Sequence, residues 1–316
     1  MTFSTAIRSG QRGCPEFRQV EWDGHLADHV AAVAPAWFAE DLGHECDWTS
    51  VSLVDAGAVS SLELVARGAG VIAGLPAAAI VTRIADPGLT LEPLVADGAA
   101  VAAGAVVARL TGPTRSVLAA ERVTLNLLGR LSGVATATRR LVEAVAGTGC
   151  RIYDTRKTVP GWRLLDKYAV RAGGGWNHRL GLYDAILIKD NHLAALAAAR
   201  RTPSDAVRRA HEFVRKTFPP SRHEAMVVEV EVDSFAQLEQ VLPERPHVVL
   251  LDNMGIDELS RCARFRDGEA PHVVLEASGG IRPDTVAAIA ATGVDRVSTG
   301  WPTHAAPWLD VALDWR

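Results

Sequence analysis

The sequence predicts an α/β protein in which a smaller α+β domain precedes a domain built on parallel strands. Three observations carry that expectation. From about residue 150, short Val- and Ile-rich runs end abruptly in a polar residue, at 151–156, 185–190, 227–233, 248–253, 273–278 and 296–300. Continuous apolar runs of this length suit strands covered on both faces. Between them lie helix-period segments at 161–172, 193–218, 234–242, 256–265 and 282–292, so strand and helix alternate as in right-handed βαβ units. A barrel and a doubly wound sheet both accommodate this rhythm, and both place a ligand at the C-terminal strand ends. The third observation is that the first 115 residues lack the rhythm altogether.

Taken in order, that first part predicts a helix over 26–42 and strands over 61–72, 77–84 and 89–91. Val95-Ala-Asp-Gly98 and Val101-Ala-Ala-Gly104 read as tight turns of an antiparallel sheet. A proline-free helical pattern from 115 to 146 bridges into the alternating segment, and 301–316 leaves the βα rhythm to return towards the first domain.

Composition excludes several classes. A chain of 316 residues, 48% hydrophobic and 22% charged, buries a large core, and its formal charge of −4 argues against a dedicated nucleic-acid binder. No apolar run reaches the roughly 18 residues of a membrane span. Residues 1–25 lack the apolar core of a signal peptide and are expected to form a loosely ordered leader. Cys14, Cys46, Cys150 and Cys262 are scattered without CxxC spacing, which fits a reducing, cytoplasmic setting better than a zinc or disulfide framework.

Charge is unevenly spread. Residues 151–192 hold eight Lys and Arg against four Asp, in a chain that is otherwise acidic. Arg163, Lys167 and Arg171 fall at helical spacing and read as a solvated face. Arg156, Lys157, His178, Arg179 and Lys189 do not, and at strand ends they point to a polyanionic ligand. A second set, Glu231, Asp252 and Glu276, offers carboxylates for sugar hydroxyls or Mg²⁺. Ser278-Gly-Gly280 and Ser298-Thr-Gly300 let backbone N–H groups approach a phosphate. Asp154 and Asp190 suit helix capping as well as binding, with capping favoured for Asp190; His192 and His304 are open between the two roles. A lysine at a barrel strand end also suits Schiff-base chemistry, and a non-catalytic phosphate-binding protein is the reading from outside the enzymes.

These residues fall into longer runs. Asp154-Thr-Arg-Lys-Thr158 with Pro160-Gly161, Lys167-Tyr-Ala-Val170, Gly173-Gly-Gly with Asn177-His-Arg179, and Leu187-Ile-Lys-Asp-Asn-His192 resemble quinolinate phosphoribosyltransferases. The resemblance continues through Glu229-Val-Glu-Val-Asp233, Leu250-Leu-Asp-Asn253, Glu276-Ala-Ser-Gly-Gly-Ile281 and Thr303-His304. It also takes in Glu40-Asp-Leu-Gly43, Glu121-Arg122, Asn126 and Leu131-Ser-Gly133, so it covers roughly 26–316.

The resemblance implies an N-terminal α/β sandwich over 26–130, joined by the tail 302–316, and an incomplete, seven-stranded α/β barrel over 131–301. It implies transfer of phosphoribosyl from 5-phosphoribosyl-1-pyrophosphate to quinolinate with decarboxylation to nicotinate mononucleotide. Arg122, Arg156, His178, Arg179 and Lys189 would then hold the quinolinate carboxylates. Lys157 would meet the pyrophosphate, Glu231 and Asp252 the ribose and Mg²⁺, and Ser278, Gly279, Gly280 and Gly300 the 5′-phosphate. Lys157, Lys189, Glu231 and Asp252 are the expected catalytic set. A homodimer with a shared active site follows, Arg122 acting in trans, with higher assembly left open. Trp162, Trp176, Trp301 and Pro302 depart from the usual smaller residues, so a paralogue acting on another aromatic carboxylate is the alternative.

Overall fold

The structure, a computed structural model, describes residues 11–197 and 200–315. Residues 20–144 form helices α1 (Gly24–Leu42) and α2 (Trp48–Leu53), strands β1 (Val59–Ala66) and β2 (Gly70–Val71), and helix α3 (Leu75–Ala85). Strands β3 (Thr90–Pro93), β4 (Ala100–Val101) and β5 (Val106–Pro113) follow, then the long helix α4 (Thr114–Ala144). Next come β6 (Arg151–Tyr153), α5 (Arg163–Ala172), β7 (Ile186–Ile188), α6 (Asp190–Ala197), α7 (Pro203–Thr217), α8 (Pro220–Ala225) and β8 (Val228–Val232). The chain closes with α9 (Phe235–Val241), β9 (Val248–Asp252), α10 (Ile256–Glu269), β10 (Val274–Ser278), α11 (Val286–Ala290), β11 (Arg296–Ser298), α12 (Trp301–His304) and β12 (Val311–Trp315).

These elements sort into two compact units that interleave along the chain. One holds Val20–Arg139, Thr158–Gly175 and the tail from Pro302; the other holds the described part of Met1–Gln19 with Arg140–Lys157 and Trp176–Trp301.

The first unit carries a four-stranded sheet in the order β12-β1-β5-β3, its neighbours antiparallel, and a two-stranded β2-β4 ribbon. Residues 77–84, expected as a strand, instead lie in helix α3. The reason is local: Gly74 takes a left-handed φ of 103°, Pro76 sits in the first turn, and Asp97 accepts from the N–H groups of Gly74 and Leu75 at 2.6 and 3.1 Å. A solvated α5 face is also corrected. Lys167 is buried there, and its neighbour Asp166 receives a bidentate Arg130.

The second unit is a parallel sheet in the order β6-β11-β10-β9-β8-β7. Six strands form the ladder. The seventh position is reduced to one parallel bridge between Trp176 and Tyr153, beside β6. Side chains alternate across the sheet. Val230, Val232, Val249, Leu251, Leu275, Ala277 and Val297 join the apolar layer that includes Leu238, Leu259 and Cys262 of the helices. Their alternates Glu229, Glu231, Asp252, Glu276, Ser278, Arg296 and Ser298 face the other way.

The single helix expected over 193–218 divides into α6 and α7, because Thr202 and Asp205 make a reciprocal capping box and Pro203 opens the new helix. The expected leader is also corrected from Gln11 onward. Arg12 pairs with Asp295 at 2.6 Å, Cys14 and Phe17 are buried, and Asp23 caps α1 through the N–H of Leu26. Residues 1–10 of that leader lie outside the described residues.

Candidate active site

Every parallel strand delivers a candidate residue to the same end of the sheet. Arg156 and Lys157 follow β6, Lys189 follows β7, Glu231 and Asp252 sit in the last turns of β8 and β9, and Ser278-Gly-Gly280 and Gly300 end β10 and β11. His178 and Arg179 follow the one-residue bridge at Trp176, so they belong to the same rim. Arg122 does not: it is an exposed residue of α4, in the other unit, 3.9 Å from Glu121.

Two guanidiniums meet at this rim. Arg179 is buried, and its pKa is lowered first by burial and then by Arg156 nearby. A buried guanidinium facing a second, exposed one forms a site that an anion stabilises. Lys189 is committed differently, with Nζ 2.7 Å from Oε2 of Glu231. Burial and then Glu231 raise the carboxyl of Asp252, so carboxylates from adjacent strands are held close against their mutual repulsion. The Gly-Gly turn is forced by that arrangement. Asn253 holds φ 55° and donates to Asp252 at 2.8 Å, while a Cβ on Gly279 (φ 99°) would fall 2.1 Å from Oδ1 of Asn253. Lys189 N–H donates to Nδ1 of His192 at 2.9 Å, and Asp190 opens α6, its Oδ1 accepting from Asn191.

His178 departs from the expected posture. Its imidazole is buried, with Nε2 3.1 Å from Glu229 and 3.5 Å from Glu276. Burial opposes protonation of the ring, but Glu229 and then Glu276 outweigh it and raise the pKa to about 9. The N–H of Arg179 donates to Nδ1 at 2.8 Å, which leaves the proton on Nε2; a second proton, on Nδ1, has to displace that hydrogen bond. Asp154 proves to be a bracket for this loop rather than a cap. It accepts from Asn177 Nδ2 at 2.7 Å and from the N–H of His178 at 2.8 Å.

Sequence reasoning passed over Glu229 and Arg296. Arg296 Nε lies 2.6 Å from Glu276 and Nη2 4.0 Å from Glu229. The signal was a charged residue on the alternation face of a buried strand, at Glu229 and Arg296 alike. The bulky departures are absorbed locally: Trp176 lies under Arg151 at 4.1 Å and Trp162 stacks on Trp37 at 5.0 Å. Trp301 packs partly buried against the apolar layer of its own unit.

Residues 47–132 match the N-terminal domain of quinolinate phosphoribosyl transferase, and 134–314 match its C-terminal domain. The chain belongs to the quinolinate phosphoribosyl transferase family. It is 43% identical over 277 residues to the nicotinate-nucleotide pyrophosphorylase [carboxylating] of Mycobacterium leprae, covering 87% of this chain and 93% of that protein. A probable carboxylating nicotinate-nucleotide pyrophosphorylase of Synechocystis is 39% identical over 279 residues, 88% of this chain and 89% of that one. Among solved structures, the nicotinate-nucleotide pyrophosphorylase of Francisella tularensis superposes with a TM-score of 0.83 at 33% identity, over 95% of this chain and 99% of that chain. Such neighbours place the parallel sheet in the barrel architecture of quinolinate phosphoribosyl transferases, rather than in a doubly wound sheet.

Proposed function

We propose that the protein transfers phosphoribosyl from 5-phosphoribosyl-1-pyrophosphate to the ring nitrogen of quinolinate and decarboxylates the adduct, giving nicotinate mononucleotide, pyrophosphate and CO₂ for NAD biosynthesis. The observation that carries this reading is the division of charge along the rim, with the Arg156 and Arg179 guanidiniums on one part and Glu231 and Asp252 on another. Two guanidiniums fit a dicarboxylate, and two carboxylates fit the hydroxyls of a ribose. Family membership and the names of the relatives support the same substrates.

Arg156 and Arg179 hold the pyridine so that its nitrogen faces C1 of the ribose. The N–C1 bond forms as the bond from C1 to the pyrophosphate oxygen breaks, so positioning and electrostatics supply most of the acceleration. Lys157 meets the leaving pyrophosphate, and Ser278, Gly279, Gly280 and Gly300 receive the 5′-phosphate. The ring nitrogen is then positively charged, the bond from C2 to its carboxylate breaks, and the electron pair stays at C2 until a proton arrives. No protein-bound electron sink is needed. Glu231 and Asp252 fit Mg²⁺ as well as ribose, since a divalent cation offsets the burial and the repulsion from Glu231 that together raise Asp252. When bound, Mg²⁺ neutralises charge on the departing pyrophosphate. Lys189 holds Glu231 in place at 2.7 Å and can exchange that partner for a quinolinate carboxylate.

Pyrophosphate release assayed with quinolinate, nicotinate and nicotinamide tests the reading. Quinolinate is expected to react and the other two to stay at background; equal turnover of a monocarboxylate would promote the paralogue instead.

A homodimer with a shared site is part of the same proposal, Arg122 being exposed and positively charged on α4. Mixing inactive Arg122→Ala and Lys189→Ala subunits is then expected to restore activity, because a mixed dimer assembles one intact site. No recovery in a mixture shown to exchange subunits removes the trans role. A cytoplasmic setting is supported by four free thiols, and no helix among the described residues is long and apolar enough to cross a membrane.

A further inference from the structure

The inward face of the parallel sheet holds buried groups that the proposed chemistry does not use, and an N-terminal segment closes over them. That segment, Cys14 to Gln19, lies outside both matched family ranges, the earlier of which begins at residue 47. Phe17 lies flat against the imidazole of His178, with ring centroids 4.2 Å apart and planes 28° apart. Its other neighbours include Arg296, 4.8 Å from the ring centroid, and the apolar floor of Cys14, Val227, Val248 and Val274. Glu16 accepts from the Tyr153 hydroxyl at 2.8 Å and lies 3.4 Å from Arg151.

Gln19 makes the more telling contact. The seventh strand is a single bridge at Trp176, so the ladder stops before it reaches Asn177. Buried backbone groups need partners, and here a side chain supplies them. Gln19 Oε1 accepts from the N–H of Asn177 at 2.8 Å, and its Nε2 donates to the carbonyls of Asn177 at 3.0 Å and Phe17 at 2.9 Å. From there the connection to the rim is short. Asn177 precedes His178, and His178 Nδ1 receives the N–H of Arg179 at 2.8 Å, so the ring's orientation fixes the peptide that carries Arg179. A metal ion is not the organising group of this layer. Arg296 already brings a fixed cation to within 2.6 Å of Glu276, beside His178 and Glu229.

We propose that Phe17 and Gln19 are positioning residues for acceptor recognition: they hold the Asn177–Arg179 loop so that Arg179 meets the aromatic dicarboxylate, without touching either substrate. The inference rests on the quinolinate reading above. It extends the functional chain to a segment upstream of the matched domains.

Steady-state kinetics of Gln19→Ala and Phe17→Leu, with thermal unfolding and quinolinate calorimetry in parallel, test it. A misplaced binding group is expected to raise the KM for quinolinate about tenfold, with the KM for the phosphoribosyl donor and saturated kcat changed by no more than about twofold. Quinolinate binding measured alone falls by the same factor. Gln19→Glu keeps the acceptor for Asn177 and loses the donor, so it is expected between Gln19→Ala and the parent. If Phe17→Leu fails to fold, Gln19→Ala decides, since that half-buried side chain makes only these three bonds among the described residues. A KM for quinolinate that stays put while Tm falls, or equal rises in both KM values, would overturn the positioning role. If the parent turns over another pyridine carboxylate instead, the substrate reading fails separately, and the KM for that acceptor decides the role of Gln19.

Discussion

Replacing Arg296 with methionine is expected to cost about 3–5 kcal/mol of folding stability at neutral pH, because it leaves buried carboxylates without their cation. Arg296 is fully enclosed, with Nε 2.6 Å from Glu276, Nη1 3.8 Å from Glu16 and Nη2 4.0 Å from Glu229. Among the described residues, Glu229 and Glu276 face only His178 and Arg296 as charged partners at short range, so charge compensation carries the cluster. The pH dependence has a definite sign. Burial would raise the Glu276 carboxyl, but Arg296 and then His178 outweigh it and bring it from 4.5 to about 2. A depressed carboxyl contributes stability that is present above its unfolded value and is lost as pH falls through the folded one. The variant's deficit should therefore be largest at pH 7 and shrink as acid protonates the carboxylates below about pH 4. Urea unfolding at the two pH values measures both effects. A deficit below about 1 kcal/mol at pH 7 would mean that the cluster is screened like a surface pair.

The second large effect separates the two ligands. Arg179→Ala removes a charge-assisted hydrogen-bond pair, for which a loss of about 1.5–3 kcal/mol, or roughly ten- to a hundredfold in affinity, is expected. That loss should fall on quinolinate. Asp252→Ala should instead weaken the phosphoribosyl donor or its Mg²⁺ and lower kcat, because the partner proposed for it is the sugar on which charge develops. Quinolinate binding without donor should survive it. Calorimetry of each ligand against both variants reads the division, and a donor-only loss in Arg179→Ala would reverse it.

Much of this was legible in the sequence because parallel strands announce themselves twice, by apolar runs and by the polar residue that ends each one. Asp252 and the Gly279–Gly280 turn could be placed at the rim on that basis alone. What escaped was set by tertiary context. Residues 77–84 are apolar in any period, and the decision for helix came from Asp97, twenty-odd residues downstream, bonding the N–H groups of Gly74 and Leu75. His178 read as a ligand for an anion, yet its ring turns inward to Glu229 and Glu276, and no local pattern marks which way a histidine after a one-residue bridge will face. Gln19 was invisible for a related reason. Its role depends on a strand being too short, and the length of a ladder is a property of the fold rather than of the residue.

The antiparallel sheet has a bearing on how the chain is made. Strand β1 pairs with β5 on one side and with β12, residues 311–315, on the other. On the ribosome, β1 therefore keeps one edge open while the whole of the parallel sheet is still being synthesised. An unpaired edge invites association with other chains. The sheet whose strands are made first is completed last, so release of a nascent chain short of residue 311 should leave a protein with a formed parallel sheet and an exposed, aggregation-prone β1.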